Sequence, residues 1–172
     1  MAGRIGPAGP ETSGRWVLLS YKVPREPSTP RITIWRKLKR LGVAQISDGL
    51  VALPADARTR EHLDWIAEEI TDAGGTASLW LAQPGTQDTE RDLAATMAAA
   101  RATEYANVTA HATAAADLDD AERASTARRL RAELHRIHRR DYFPPPERDH
   151  AVAAVNALIH PTPDTATQEQ PS

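Results

Sequence analysis

From residue 15 to residue 82 the apolar positions switch repeatedly between two spacings. Residues 15–23, Arg-Trp-Val-Leu-Leu-Ser-Tyr-Lys-Val, are rich in β-forming side chains and nearly continuous in apolar character, which predicts a buried strand ended by Pro24 and Pro27. Ser28-Thr29-Pro30 reads as a helix start. Thr29 offers a cap for free N–H groups, and Pro30 suits the first helical position, where no donor is missed. Ile34, Leu38 and Leu41 then repeat at steps of four and three, with Trp35 beside them as part of one core stripe. Gly42 supplies the C-terminal cap, and Arg36, Lys37 and Arg40 fall largely on the opposite side.

Residues 43–46 and 50–53 are two short strands around Ser47-Asp48-Gly49, and Asp-Gly is a strong hairpin-turn signal. Asp56 is placed to cap a helix over 57–73, with Leu63, Ile66, Ala67 and Ile70 inward and Gly74-Gly75 beyond its end. Residues 76–82 read as a fourth strand. The order strand, helix, strand, strand, helix, strand predicts an α+β fold. Its form is the ferredoxin-like βαββαβ unit, a four-stranded antiparallel sheet with two helices on one face.

After Gly85 the pattern becomes helical throughout. Residues 86–118 are Ala-rich, with Leu93, Met97, Ala100, Tyr105 and Val108 at roughly helical spacing, and 121–140 carries Ala127, Leu130, Leu134 and Ile137. Leu118-Asp119-Asp120 marks a turn or a fresh cap, so the two segments predict a helical hairpin. Pro144-Pro145-Pro146 is a rigid break before a last helix over 148–159. The expected organisation is a disordered leader (1–14), the α+β domain (15–85), a helical arm packed on that domain or on a dimer partner (86–160), and a disordered tail (161–172).

Composition narrows the chemistry. The 172 residues contain no cysteine, which excludes disulfides, thiolate metal sites and cysteine nucleophiles. Residues 1–14 lack an apolar core for a secretory signal, and no apolar run approaches the ~20 residues of a membrane span, so a cytoplasmic location is expected. The net charge of -2 conceals an asymmetry. Residues 1–53 carry 9 Lys and Arg against 3 Asp and Glu, residues 54–122 carry 4 against 14, and residues 123–150 carry 8 against 4. Two basic regions around an acidic middle suggest an anionic partner.

The first candidate constellation is Arg31, Arg36, Lys37, Lys39 and Arg40 on the first helix. Several cations on one helix can neutralise DNA phosphates, or hold a tetrahedral dianion such as chromate or sulfate through the planar Arg fork. The plainer alternative is a solvated helix face favoured by the helix dipole. The second constellation is Arg128, Arg129, Arg131, Arg136, Arg139 and Arg140. Its cations suit phosphate recognition, or else pair with Glu133 and with the acidic stretches at 88–92 and 117–122. His135 and His138, with Asp141 nearby, share a helix face, but two imidazoles beside Arg136 and Arg139 do not make a metal site, so no metal or other cofactor is expected. Trp16 and Trp35 are expected in or near the core.

Two segments carry a family resemblance: residues 16–24 (Trp-Val-Leu-Leu-Ser-Tyr-Lys-Val-Pro) and 27–42 (Pro-Ser-Thr-Pro-Arg-Ile-Thr-Ile-Trp-Arg-Lys-Leu-Lys-Arg-Leu-Gly). With Gly49-Leu-Val-Ala-Leu-Pro54 and Arg139-Arg-Asp-Tyr-Phe-Pro144, they are similar to the N-terminal region of ChrB proteins, over roughly residues 15–160. The resemblance implies a regulator of chromate-resistance genes, with promoter DNA as partner and chromate as effector; longer members carry a further C-terminal domain. A homodimer would double the basic surface and suit a palindromic operator. The fold also resembles the C-terminal part of phenylacetate-pathway repressors and small CRISPR-associated nucleases. Metal nucleases of that fold place a carboxylate at the end of the first strand, where this chain has Ser20-Tyr21-Lys22, so an enzyme is not expected.

Overall fold

A computed structural model describes residues 14–159. The expected leader (apart from Gly14) and tail lie outside the described residues. The elements are β1 (Trp16–Lys22), α1 (Ser28–Leu41), β2 (Ala44–Ser47), β3 (Leu50–Pro54), α2 (Ala57–Asp72), β4 (Thr76–Ala82), α3 (Gln87–Ala114), α4 (Asp120–His138) and α5 (Glu147–Ala157). Two compact units divide between Met97 and Ala98, within α3.

In the first unit the four strands form one antiparallel sheet in the order β2-β3-β1-β4, which is the ferredoxin-like arrangement. Val17 stands opposite Leu53 on one side and Leu81 on the other, and Leu19 opposite Val51 and Leu79. Val17, Leu19, Val51 and Leu53 are buried together with Ile34 and Leu38 of α1 and Leu63, Ile66 and Ile70 of α2. β4 is an outer strand that pairs with β1. It contains neither charge nor proline, and Trp80 and Leu81 project largely into solvent.

Local chemistry explains the element ends. Asp48 and Gly49 form the two-residue turn between Ser47 and Leu50, and Gly49 has φ 73°. A Cβ at Gly49 would lie 2.4 Å from the Tyr21 carbonyl oxygen, while the Tyr21 N–H donates to the Gly49 carbonyl at 2.7 Å, so the hairpin tip is stitched to the end of β1. Asp56 caps α2 as expected. Its carboxylate accepts from Thr59 N–H at 2.6 Å, and the Thr59 hydroxyl accepts from Asp56 N–H at 3.0 Å and donates to the Pro54 carbonyl at 2.7 Å. At α1 the expectation is corrected: the cap position is Pro27, without a side-chain hydrogen bond, and Ser28 rather than Pro30 opens the helix. Pro30 remains in the first turn, where its missing N–H has no helical acceptor in any case. Gly42 closes α1 in the left-handed conformation, as its position implied.

A second correction concerns Trp35. It is 51% exposed and does not join the Ile34/Leu38 stripe, whereas Trp16 is buried.

The second unit has its own core, in which Tyr105, Val108, Ala112 and Ala115 of the chain around α3 pack with Ala127, Leu130, Leu134 and Ile137 of α4 and with Ala151, Val155 and Leu158. Asp119 caps α4 by accepting from Glu122 N–H, and α5 begins after Pro146. The inward face of α3 differs from the expected one. Ala100 is exposed, and Arg101 occupies the buried row instead, because Met97, Arg101, Tyr105, Val108, Ala112 and Ala115 recur at steps of four and three.

Candidate functional site: a cationic cleft and helix face

Three segments of the first unit meet at the C-terminal end of β1. A cleft of about 620 Å³ is lined there by Tyr21 and Lys22 at the end of β1 and Arg25 just after it, by Arg31 and Trp35 of α1, and by Asp48 and Gly49 of the hairpin tip. The stitched turn described above fixes Asp48 beside Tyr21. The Tyr21 phenol is held above its usual range, first by burial and then by the Asp48 carboxylate, with Arg31 opposing. The cleft therefore combines three cations, one carboxylate, a neutral phenol and an indole. Such a set offers charge-assisted donors to a phosphate or another oxyanion and a ring face to an apolar or planar group.

The five cations expected to act together on α1 are divided by the structure. Arg31 lines the cleft. Lys37 is bound to Glu69 of α2 at 2.6 Å, so its charge is already compensated. Lys39 lies over the Trp35 ring, with Nζ 5.5 Å from the centroid. Arg36 and Arg40 point to solvent, and among the described residues neither is in a salt bridge. Lys22, Arg25 and Asp48 were not part of the expected set. Their signal is topological: the end of β1 and the β2–β3 turn adjoin in a split βαββαβ unit, although 26 residues separate Lys22 from Asp48.

The second constellation is also divided. Arg128, Arg129, Arg136 and Arg139 are exposed, and Arg131 donates to the Asn156 side chain at 3.4 Å. Arg140 is drawn into a polar cluster of the second unit, where it donates to Glu104 at 2.8 Å. The same carboxylate lies 3.2 Å from Arg101, so one Glu neutralises two guanidiniums. Glu104, not the stretches at 88–92 or 117–122, is thus the partner of Arg140; those stretches form local pairs instead, Asp88 with Arg91 and Asp120 with Arg123.

Beside this pair the Tyr105 hydroxyl donates to Asp141 at 2.8 Å. Burial, reinforced by that bond, pushes the phenol well above its ordinary value. The His138 ring stands 5.7 Å from that of Tyr105, and burial followed by the nearby Arg148 lowers its proton affinity. Asp141 is therefore engaged by a tyrosine rather than by histidines. Among the described residues no group of three His, Cys, Asp or Glu could hold a metal ion.

Comparison with known proteins bears directly on the first unit. A family model described as "Protein ChrB, N-terminal" matches residues 31–116, half of the chain. This chain belongs to the ChrB N-terminal family. Protein ChrB of Cupriavidus metallidurans (strain ATCC 43123 / DSM 2839 / NBRC 102507 / CH34) is 30% identical over 142 residues, covering 80% of this chain and 43% of that protein. The chain thus spans less than half the length of its curated ChrB relative. The family model takes in all five α1 cations, Asp48, and the Arg101–Glu104–Tyr105 group, and ends before Arg128. No helix among the described residues is long and apolar enough to cross a membrane.

Proposed function

We propose that this chain is the DNA-binding part of a ChrB-like regulator of chromate resistance. It is read as a cytoplasmic, non-enzymatic protein that holds promoter DNA through α1 and the rim of the adjoining cleft, and that responds to chromate. The observation that carries this reading is the set of exposed cations on α1 and around the adjoining cleft: Arg36 and Arg40 on the outer row of α1, and Arg31, Arg25 and Lys22 at the cleft. A cation already matched by a carboxylate releases few counterions on meeting a phosphate, so Lys37 contributes little and Arg36 and Arg40 contribute most. Backbone contacts of this kind fix position on the duplex without reading its sequence.

A second reading is favoured by the cleft itself. Lys22, Arg25 and Arg31 line one recess together with a neutral tyrosine, a donor set that suits a tetrahedral dianion as well as a DNA phosphate. In that reading the chain is an oxyanion sensor, or an interaction module, that does not touch DNA.

Titration of the pure protein with promoter DNA of neighbouring genes, at several salt concentrations and with chromate or sulfate added, separates the two. Salt-sensitive binding released by chromate and not by sulfate is the expected result. Absence of DNA binding at low salt, with chromate still protecting the protein against thermal unfolding, would replace the first reading by the second.

A further inference from the structure

α1 and α2 lie side by side in the first unit, joined by the Lys37–Glu69 ion pair. Their solvent faces carry opposite charge. The outer row of α1 is Ile32, Arg36 and Arg40, flanked by Lys39 and Trp35, with no exposed acid anywhere on the helix. The outer row of α2 is Glu61, Trp65, Glu68 and Asp72, flanked by Asp64, which Arg60 pairs at 3.9 Å, so the face stays acidic on balance. Each row also leaves large apolar side chains in water: Ile32 and Trp35 on α1, and Trp65, 60% exposed, on α2. Exposed tryptophans rimmed by charge are the composition of a contact surface rather than of an idle one.

The pattern is self-complementary under one symmetry operation. A two-fold axis running along the helices and between them lays α1 of one copy on α2 of the other, and α2 on α1. Arg36 and Arg40 then face Glu61, Glu68 and Asp72 twice over, and Trp35 and Trp65 leave water. A two-fold axis across the helices would instead set like charge on like charge. At 1.5 Å per residue the two helices are about 21 and 24 Å long, so the layer is a patch roughly 20 Å on a side that buries about 800 Å² over both partners, the scale of a weak, concentration-dependent contact.

We propose that the outer face of the α1–α2 layer is a homodimer contact in which the basic α1 of each copy covers the acidic α2 of the other, and that this contact competes with DNA for α1. The association stands on the two helix faces alone; the competition rests on the DNA-binding reading above. Under it, the free dimer is the form with its phosphate-binding helix covered, and DNA must displace a second copy of the chain to reach Arg36 and Arg40.

Complementary charge reversal tests the association. One variant is Arg36→Glu/Arg40→Glu and the other Glu61→Lys/Glu68→Lys; all four side chains are exposed, and circular dichroism checks that both variants fold. Sedimentation equilibrium at hundreds of micromolar protein and low salt should find the wild type dimeric, each variant at least tenfold weaker in self-association, and their equimolar mixture dimeric again. A monomeric wild type, or variants that dimerise as well as the wild type, would overturn the contact. The charge-neutral Trp65→Ala tests the competition: it should weaken the dimer and raise the apparent DNA affinity several-fold. A weakened dimer with unchanged DNA affinity would refute the competition and leave the contact standing. If the wild type does not bind DNA at all, the proposed function fails, while the sedimentation results still decide the dimer.

Discussion

Arg36 and Arg101 are the same residue type, each within a long helix, and they are put to opposite uses. Arg36 projects into water with no acid beside it, free to meet an anion from outside. Arg101 lies in the buried row of α3, where burial pulls its guanidinium below its usual range and Glu104 opposes that shift. Arg140, just beyond the end of α4, donates to the same Glu104. The difference teaches that charge becomes a site only where the fold leaves it unmatched. In the first unit Arg36 and Arg40 are left open, and in the second Arg101 and Arg140 are consumed around Glu104, while Arg128, Arg129, Arg136 and Arg139 stay on the surface.

The sharpest way to break this comparison is Glu104→Ala. It leaves two partly buried guanidiniums without their carboxylate, and should cost about 3 kcal/mol of stability in denaturant titration. A loss under ~0.5 kcal/mol would show that the cluster is surface-like and that the contrast with α1 is false. Tyr105→Phe comes next. Removing the hydroxyl strands the Asp141 carboxylate that accepts from it, for about 1–2 kcal/mol by the same measurement.

The pH dependence of stability sharpens the picture further. His138 has a folded pKa below its ordinary 6.5, so below that value the unfolded chain binds more protons than the folded one, and stability falls as pH drops from about 6.5. Tyr105 has a folded pKa above its ordinary 10, so the folded chain retains a proton that the unfolded chain releases, and stability falls again above pH 10. Denaturation midpoints measured between pH 5 and 11 should show both limbs; Tyr105→Phe should shrink the alkaline one, to which Tyr21 also contributes, and His138→Gln should remove the acidic one. The smallest stability effect belongs to Arg36→Ala/Arg40→Ala, expected within ~0.5 kcal/mol of wild type at concentrations where the protein is monomeric, since neither side chain is in a salt bridge within its own chain. The same double change should weaken DNA binding and lower its salt slope by about one per lost phosphate contact. Stability loss beyond 1 kcal/mol would mean that α1 is structural after all.

Much of the first unit was legible because its signals are local. Asp-Gly specifies a two-residue turn, Asp56 caps a helix that begins one residue later, and Gly42 ends α1, so strand order followed from element order. The site was only partly legible, because what separates Lys37 from Arg36 is a carboxylate 32 residues away on another helix, which no spacing along α1 reveals. Arg101 escaped for a related reason. In an Ala-rich helix the apolar row has little contrast, and an arginine on it reads as an interruption until Tyr105, Val108 and Ala112 are seen to continue the same row. Trp35 failed differently: proximity to Ile34 suggested burial, but a neighbour in sequence on a helix lies 100° away, and there the ring meets Lys39 and the cleft instead.

The uncharged margin of the sheet has a consequence for the protein's life in a crowded cell. β4 offers seven residues from Thr76 to Ala82 without a lysine, a proline or a bulge, and carries Trp80 and Leu81 outward. Such a strand can template a foreign extended chain as readily as a native one. A nascent or heat-damaged polypeptide that grafts onto it would convert a folded molecule into the seed of an aggregate. Keeping that edge covered is therefore a separate requirement on the molecule from the stability of its fold.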